Sequence, residues 1–190
     1  MIKMDPHVYS GRPADETGRL QKELRVYDLL DELGIAYERV DHEAAMTVED
    51  CQGVDRLLGI EICKNLFLTN QQKTKFYLLL MPGQKRFVTK EFCRQIGSAR
   101  LSFGKPELLE ELLDLTPGSV SIMGLMNDRD GKVQLVIDRE VYETPDFGCH
   151  PCINTTSLKM SSAEVWEKFL PAVGHEPILV DLKEEQEETK

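Results

Sequence analysis

Two apolar runs, Lys64 to Thr69 and Lys75 to Met81, are separated only by a polar link, Asn70-Gln71-Gln72-Lys73-Thr74. Each is too short for a helix and is bounded by turn-forming residues, so the pair predicts an antiparallel β-hairpin. A hairpin with two nearly continuous apolar strands must be covered on both faces. Whatever else the chain does, it has to wrap this hairpin with further strands and helices.

The flanking segments supply the cover. From Glu16 to Leu33 apolar residues recur at helical spacing (Leu20, Leu24, Tyr27, Leu30, Leu33) before Gly34, a natural stop. Ile35 to Val40 reads as a strand, and Thr47 caps a helix that fades near Gly59. Helices are predicted over Thr89 to Ile96 and, with Pro106 as the first residue, Pro106 to Leu113. Ser161-Ser162-Ala163-Glu164 offers a capping box for a helix through Leu170. Strands are predicted over Ser119 to Ile122, Val133 to Ile137, Ile153 to Met160 and Ile178 to Leu182. Helices alternating with hairpins rather than strict βαβ units give a mixed-sheet α/β domain. Residues 1–15 read as an extended lead-in, 16–182 as the domain and 183–190, with four glutamates, as a solvated acidic tail.

The 190 residues carry a net charge of −10, which taken whole speaks against a nucleic-acid (DNA included) or membrane-surface binder. The average hides an asymmetry. Between Arg56 and Lys105 stand ten basic residues and two acidic ones, so this stretch is +8 and the remainder −18. A polyanion can be held by one region and repelled elsewhere. No apolar run reaches the roughly 20 residues a spanning helix needs, and the first residues lack the apolar core of a secretory signal. With five cysteines, an odd number, free thiols in a reducing cytoplasm are the expectation.

Three constellations could carry chemistry. Cys149-His150-Pro151-Cys152 could chelate zinc or exchange disulfides, but no second close cysteine pair completes a zinc site, and the strand-like Ile153-Asn154-Thr155-Thr156 follows where a redox motif needs a helix. Lys64 enters an apolar strand, where an ammonium can bind phosphate, polarise a carbonyl or simply guard a sheet edge. Loops rich in small and polar residues, Gly118 to Ser121, Gly124 to Asp128 and Gly148 to Asn154, let backbone N–H groups approach a substrate, with His150 and Asn154 adding side-chain hydrogen bonds. His42-Glu43 fails as a zinc-protease motif because Met46 holds the last position.

Taken in order, Val40-Asp41-His42 through Thr47, Cys63 to Leu68, Gly118 to Ser121 with Gly124 to Asp128, and His150 to Thr155 resemble the aminoacyl-tRNA deacylases related to the editing domain inserted in bacterial prolyl-tRNA synthetases, and among them the free-standing prolyl-tRNA editing proteins. The resemblance spans roughly Leu20 to Leu170. It implies a central mixed, barrel-like sheet with flanking helices in one domain. It implies hydrolysis of the ester in mischarged tRNA, foremost alanyl-tRNA bearing the proline anticodon, with no cofactor and no metal. Lys64 matches the family's essential lysine, Asn65 its neighbour, His150 the histidine of the His-Pro loop and Gly124 a glycine of the pocket wall; Asn154 joins the substrate-binding set. Thr47 and Met46 are expected to line the amino-acid pocket, or else to serve as helix cap and core methionine. Two departures stand out. Ile122 replaces the proline of a Gly-x-x-x-Pro pattern after Gly118, and Cys152 replaces an aliphatic residue.

The physical logic agrees. A pocket built for proline cannot strongly reject a smaller amino acid, since a missing methylene is worth only ~1–3 kcal/mol, and a second site can hydrolyse what is small enough to enter. The expected mechanism has Lys64 anchoring the terminal adenosine, N–H groups near Gly124 facing the carbonyl, water attacking, and His150 orienting water or substrate. Lys73, Lys75, Lys85, Arg86 and Lys90 are expected to touch the acceptor stem. The expected partners are mischarged tRNA and, as deliverer of substrate, prolyl-tRNA synthetase. Two other classes stand beside this one: a non-catalytic binder of amino acid or tRNA on the same fold, and a C-x-x-C thiol oxidoreductase.

Overall fold

In the computed structural model, which describes residues 2–44 and 48–183, the hairpin stands at the centre. Strands β3 (Lys64–Asn70) and β4 (Phe76–Met81) pair antiparallel from Lys64↔Met81 to Thr69↔Phe76. Edge strand β5 (Leu101–Phe103) lies antiparallel to β3, and β6 (Val133–Asp138) and β9 (Ile178–Val180) continue in parallel on the other side, giving the order β5-β3-β4-β6-β9. A second sheet is wholly antiparallel: β1 (Tyr9–Ser10), β2 (Tyr37–Asp41), β8 (Thr156–Ser161) and β7 (Asp146–Cys149), in the order β1-β2-β8-β7. The sheets face each other without closing into a barrel.

Strand alternation assigns the two faces of the central sheet. Phe67, Leu78, Leu80, Leu135 and Ile137 meet Tyr37, Phe147, Leu158 and Met160 of the second sheet in the main core. Leu68, Leu79, Met81 and Val136 point the other way, under helix α3 (Thr89–Ile96), against Phe92 and Cys93. Helix α1 (Gln21–Glu32) joins the main core through Val26, Tyr27 and Leu30. Helix α2 (Val48–Leu58) packs Val54 and Leu58 on Val40, and α4 (Pro106–Leu113) adds Leu109, Leu112 and Leu113 to the main core.

Helix α1 starts five residues later than its apolar spacing suggests. Leu20 is 55% exposed, and Arg19 turns its guanidinium into a buried ion network instead, with Glu23 at 2.5 Å and Asp41 at 2.7 Å. Tyr27 donates to the same Glu23 oxygen at 2.7 Å, and Arg39 closes on Asp41 from within β2. The lead-in is tied to this strand: the Asp5 N–H donates to the Asp41 carbonyl and the Gly11 N–H to that of Tyr37.

The expected strand Ser119 to Ile122 is instead a loop entering a 3-10 helix, Ile122–Asn127, capped by Ser121 Oγ, which accepts the Met123 N–H at 3.2 Å. The hydroxyl at the cap satisfies a donor that a strand would have left for a neighbour. Strands β5 and β7 and the single-turn α5 (Arg139–Tyr142) were not predicted. The last helix runs from α6 (Ser162–Glu164) through a π-helical turn, Val165–Phe169, into α7 (Leu170–Val173). Ser161 makes no side-chain cap bond there, so the predicted capping box does not form. Thr47, the predicted cap of α2, lies outside the described residues.

Asp138, at the end of β6, accepts the Glu140 N–H that opens α5 and holds the Lys85 ammonium at 3.1 Å; both side chains are almost fully buried. Removing Asp138 leaves the buried Lys85 ammonium only the exposed Glu140 carboxylate and the Leu182 carbonyl as partners. Asp138→Ala is therefore expected to cost about 3–5 kcal/mol, read as a lower urea midpoint with an unchanged m-value.

Candidate active site

Lys64 opens β3, and its Nζ donates to the Lys85 carbonyl at 2.7 Å. That carbonyl belongs to the loop after β4, and the loop is held by the Lys85 side chain. The Lys85 ammonium reaches Asp138, Glu140 at 2.6 Å and the Leu182 carbonyl at 2.7 Å. Burial opposes its charge, but the two carboxylates outweigh burial and raise its pKa. Lys85 is thus an internal staple, 5% exposed, and the expectation that it touches tRNA is corrected.

Asn65 turns to the opposite face of β3. Its Nδ2 donates to the Cys63 carbonyl at 3.1 Å, while Oδ1 is buried with no partner among the described residues. An unpaired buried acceptor costs free energy unless a ligand donor meets it. Cys63 lies close enough to Cys149 to disfavour ionisation of that thiol, which brings the start of β3 beside the His150 loop.

His150 is buried, and its Nδ1 lies 2.9 Å from the Thr156 carbonyl. A carbonyl only accepts, so Nδ1 carries the proton and the Nε2 lone pair remains. His42 repeats the arrangement, with Nδ1 at 2.7 Å from the Glu43 carbonyl and Nε2 at 2.9 Å from Ser157 Oγ. The Ser157 hydroxyl therefore donates to His42 and faces His150 Nδ1 at 3.3 Å. Burial pushes the His150 pKa down to about 4, against the Thr156 carbonyl. The imidazole is neutral at physiological pH, fit to accept a hydrogen bond from water but a weak base. Ser121 Oγ donates to the His150 carbonyl at 2.6 Å, tying the 118–121 turn to this loop. Ser157 and Ser121 gave no signal of their own in the sequence, because only the β2–β8 register and the folded turn bring them to the histidines.

Gly124 donates its own N–H to the Ser121 carbonyl at 3.1 Å, so the oxyanion donor expected near it is not this group. A Cβ there would sit 2.6 Å from Leu115 Cδ1 and 3.1 Å from the Leu113 carbonyl, which makes it a close-packing glycine. Asn154 is half-buried in the turn between β7 and β8, four residues beyond His150. Met46 and Thr47 lie outside the described residues. Lys73 and Lys75 are exposed at the hairpin turn, about 20 Å along β3 from Lys64. Arg86 and Lys90 are exposed at the Lys64 end.

A cavity of about 160 Å³ lies between the sheets at this end, lined by Cys63, Pro82, Gly83, Val141, Phe147 and Gly148. Its walls belong to the residue before Lys64 and to the strand leading to His150. Gly148 admits Ile60 so closely that any side chain would collide.

Cys149 and Cys152 are buried free thiols. Burial raises both, Cys152 to about 12, so neither supplies a thiolate near neutral pH, and the oxidoreductase reading loses its nucleophile. Among the described residues no cluster of three or more His, Cys, Asp or Glu side chains is placed to hold a metal ion.

A mixed two-sheet domain here brings a strand-opening lysine, a neutral buried histidine and a small cavity to one end of the central sheet. A sequence profile of the aminoacyl-tRNA editing domain matches residues 42–167, and the chain belongs to that family; its activity is that of an aminoacyl-tRNA deacylase, an ester hydrolase. Prolyl-tRNA editing protein ProX of Acetoanaerobium sticklandii is 32% identical over 146 residues, covering 77% of this chain and 88% of its own. Prolyl-tRNA synthetase associated domain-containing protein 1 of Xenopus laevis is 31% identical over 169 residues, covering 86% and 97%. A solved structure, provisionally named a trans-editing enzyme for prolyl tRNA synthetase, shares the fold with a TM-score of 0.64 at 20% identity, over 87% of this chain and 98% of that one. No helix is long and apolar enough to cross a membrane among the described residues.

The depressed His150 pKa links to stability. Below the ordinary histidine pKa of about 6.5 the unfolded chain takes up a proton that the folded chain refuses until about pH 4. The stability this contributes is complete above pH 6.5 and falls away, by on the order of 3 kcal/mol, as pH drops towards 4. Urea unfolding across this window is expected to show a steeper decline for the wild type than for His150→Gln.

Proposed function

We propose that the chain hydrolyses mischarged tRNA(Pro) in trans, with alanyl-tRNA(Pro) as its preferred substrate. The observation that carries the reading is the 160 Å³ cavity flanked by Cys63 and Gly148, one residue from Lys64 and two from His150. A compartment of that size favours a short side chain. The kinship with ProX favours the proline anticodon.

In this mechanism the Lys64 ammonium anchors the terminal adenosine at its phosphate or ester, exchanging or sharing its bond to the Lys85 carbonyl. Asn65 Oδ1 accepts from the substrate's α-ammonium group. Water adds to the ester carbonyl; the tetrahedral intermediate collapses with loss of the ribose hydroxyl, releasing the amino acid and uncharged tRNA. His150, through Nε2, orients the water or the acceptor end, and Asn154 flanks it. An aminoacyl ester is activated enough for orientation and charge stabilisation to suffice. Lys73 and Lys75, at the far end of the hairpin, would meet only RNA distant from the ester. Prolyl-tRNA synthetase is the source of mischarged substrate, and the cytoplasm the compartment.

The test is a deacylation panel of alanyl-, seryl-, cysteinyl- and prolyl-tRNA. Alanyl-tRNA(Pro) is expected to turn over fastest and prolyl-tRNA to survive. Lys64→Ala is expected to lower kcat/KM by at least about 100-fold with an unchanged circular dichroism spectrum. Wild-type turnover by that variant defeats the assignment, and prolyl-tRNA hydrolysed as fast as alanyl-tRNA defeats the size argument.

A further inference from the structure

Phe103, 64% exposed, is the most exposed large hydrophobic side chain among the described residues. It sits on edge strand β5, opposite Leu68 of β3. Alternation along β3 puts Lys64 on the same sheet face, four residues and about 13 Å away. Phe103 is not a loose surface ring. Its centroid lies 6.0 Å from Phe87, which packs edge-on against buried Phe92 at 5.7 Å. Phe87 in turn follows by two residues the carbonyl that holds the Lys64 ammonium. An aromatic row thus leads from the core beneath α3 to an open ring on the sheet face that carries Lys64.

The chain on either side of Phe103 is mostly of one sign of charge. From residue 86 to 105 the chain has five basic side chains and one acid, Glu91, which is paired with Arg94 at 2.9 Å. Arg86, Lys90, Arg100 and Lys105 are exposed, and the acids of α4 begin only at Glu107. An exposed, rigid aromatic ring rimmed by cations is the arrangement that holds single-stranded nucleic acid: bases stack on the ring and phosphates meet the cations. A protein partner is less well matched, because the patch offers one protruding ring within a cationic field rather than a broad apolar face.

Resting on the deacylase reading of Lys64, we infer that Phe103, backed by Phe87, is a stacking platform for an unpaired nucleotide just upstream of the tRNA's terminal adenosine, with Arg86, Lys90 and Lys105 on the adjoining phosphates. The platform holds the 3′ single strand while Lys64 meets the ester. Specificity for the base is low, since every base has a face to stack.

The experiment compares two RNA hairpins, one carrying the acceptor stem with its unpaired 3′ end and one trimmed blunt. The wild type is expected to bind the tailed hairpin about 10-fold or more tightly than the blunt one. Phe103→Ala is expected to lose most of that preference and Phe103→Trp to keep it; both substitutions are at a surface position, and circular dichroism checks the fold. Full preference in Phe103→Ala overturns the proposal, as does a Phe103→Trp variant no better than alanine. So does a Phe103→Ala variant that keeps the preference but no longer captures purified prolyl-tRNA synthetase, which gives the ring to a protein contact. A wild type that prefers the tailed hairpin through Phe103 yet leaves every mischarged tRNA intact supports the platform and defeats the hydrolase reading alone.

Discussion

The buried ammonium of Lys85 joins parts of the chain that are otherwise far apart in sequence. It ties the loop after β4 to Asp138 at the end of β6, to Glu140 in α5 and to the Leu182 carbonyl beyond β9. That loop presents the carbonyl that receives Lys64. The position of the half-buried Lys64 is therefore set by a second, more deeply buried lysine. A charge this deeply buried tolerates no missing partner, so the network holds its geometry more firmly than a surface ion pair could.

On the other side of the site the device is different and uses no charge. Backbone carbonyls of Thr156 and Glu43 dictate the tautomers of His150 and His42, and Ser157 runs between the two rings. Because β2 and β8 are paired in register, Asp41 stands opposite Thr156 and Val40 opposite Ser157. The Thr156 hydroxyl donates to Asp41 at 3.0 Å, so the ion network around Arg19 and the histidine loop share a residue. Helix α1 and the lead-in thereby support the His150 loop, although they lie outside the stretch matched by the family profile.

The hairpin, the helices at Thr89 and Pro106 and the strands at Val133 and Ile178 were legible because their periodicity or caps are local. Lys64, Asn65 and His150 were singled out by ordered motifs, and their roles belong to the proposal. What escaped depended on partners distant in sequence. Strand β5 is three residues long and exists only because β3 offers an edge; β7 contains Gly148, a poor strand former, and is kept by β8 and by the close approach of Ile60. The turn at Ser119 to Ile122 has strand composition, but Ser121 caps a 3-10 helix and binds the His150 loop instead. Gly124 looked like a residue that frees its backbone for substrate; in the fold its N–H and its missing side chain are both committed to neighbours.

Charge shows the same limit most clearly. The basic stretch from Arg56 to Lys105 reads as one +8 block, yet the fold distributes it over unlike environments. Lys85 is internal, Arg94 is neutralised by Glu91, and Lys73 and Lys75 sit at the far end of the hairpin. What remains exposed nearer Lys64 is a short row, Arg86, Lys90 and Lys105, which on the proposed reading would meet a few phosphates rather than grip a whole stem. Affinity for RNA rises with the number of phosphates neutralised, so a short row gives weak, salt-sensitive and rapidly reversible binding. An enzyme that must test every tRNA and keep none has use for such weakness. The acidic remainder of the surface then acts with the short row rather than against it, because it prevents the rest of the molecule from adding contacts that would slow release.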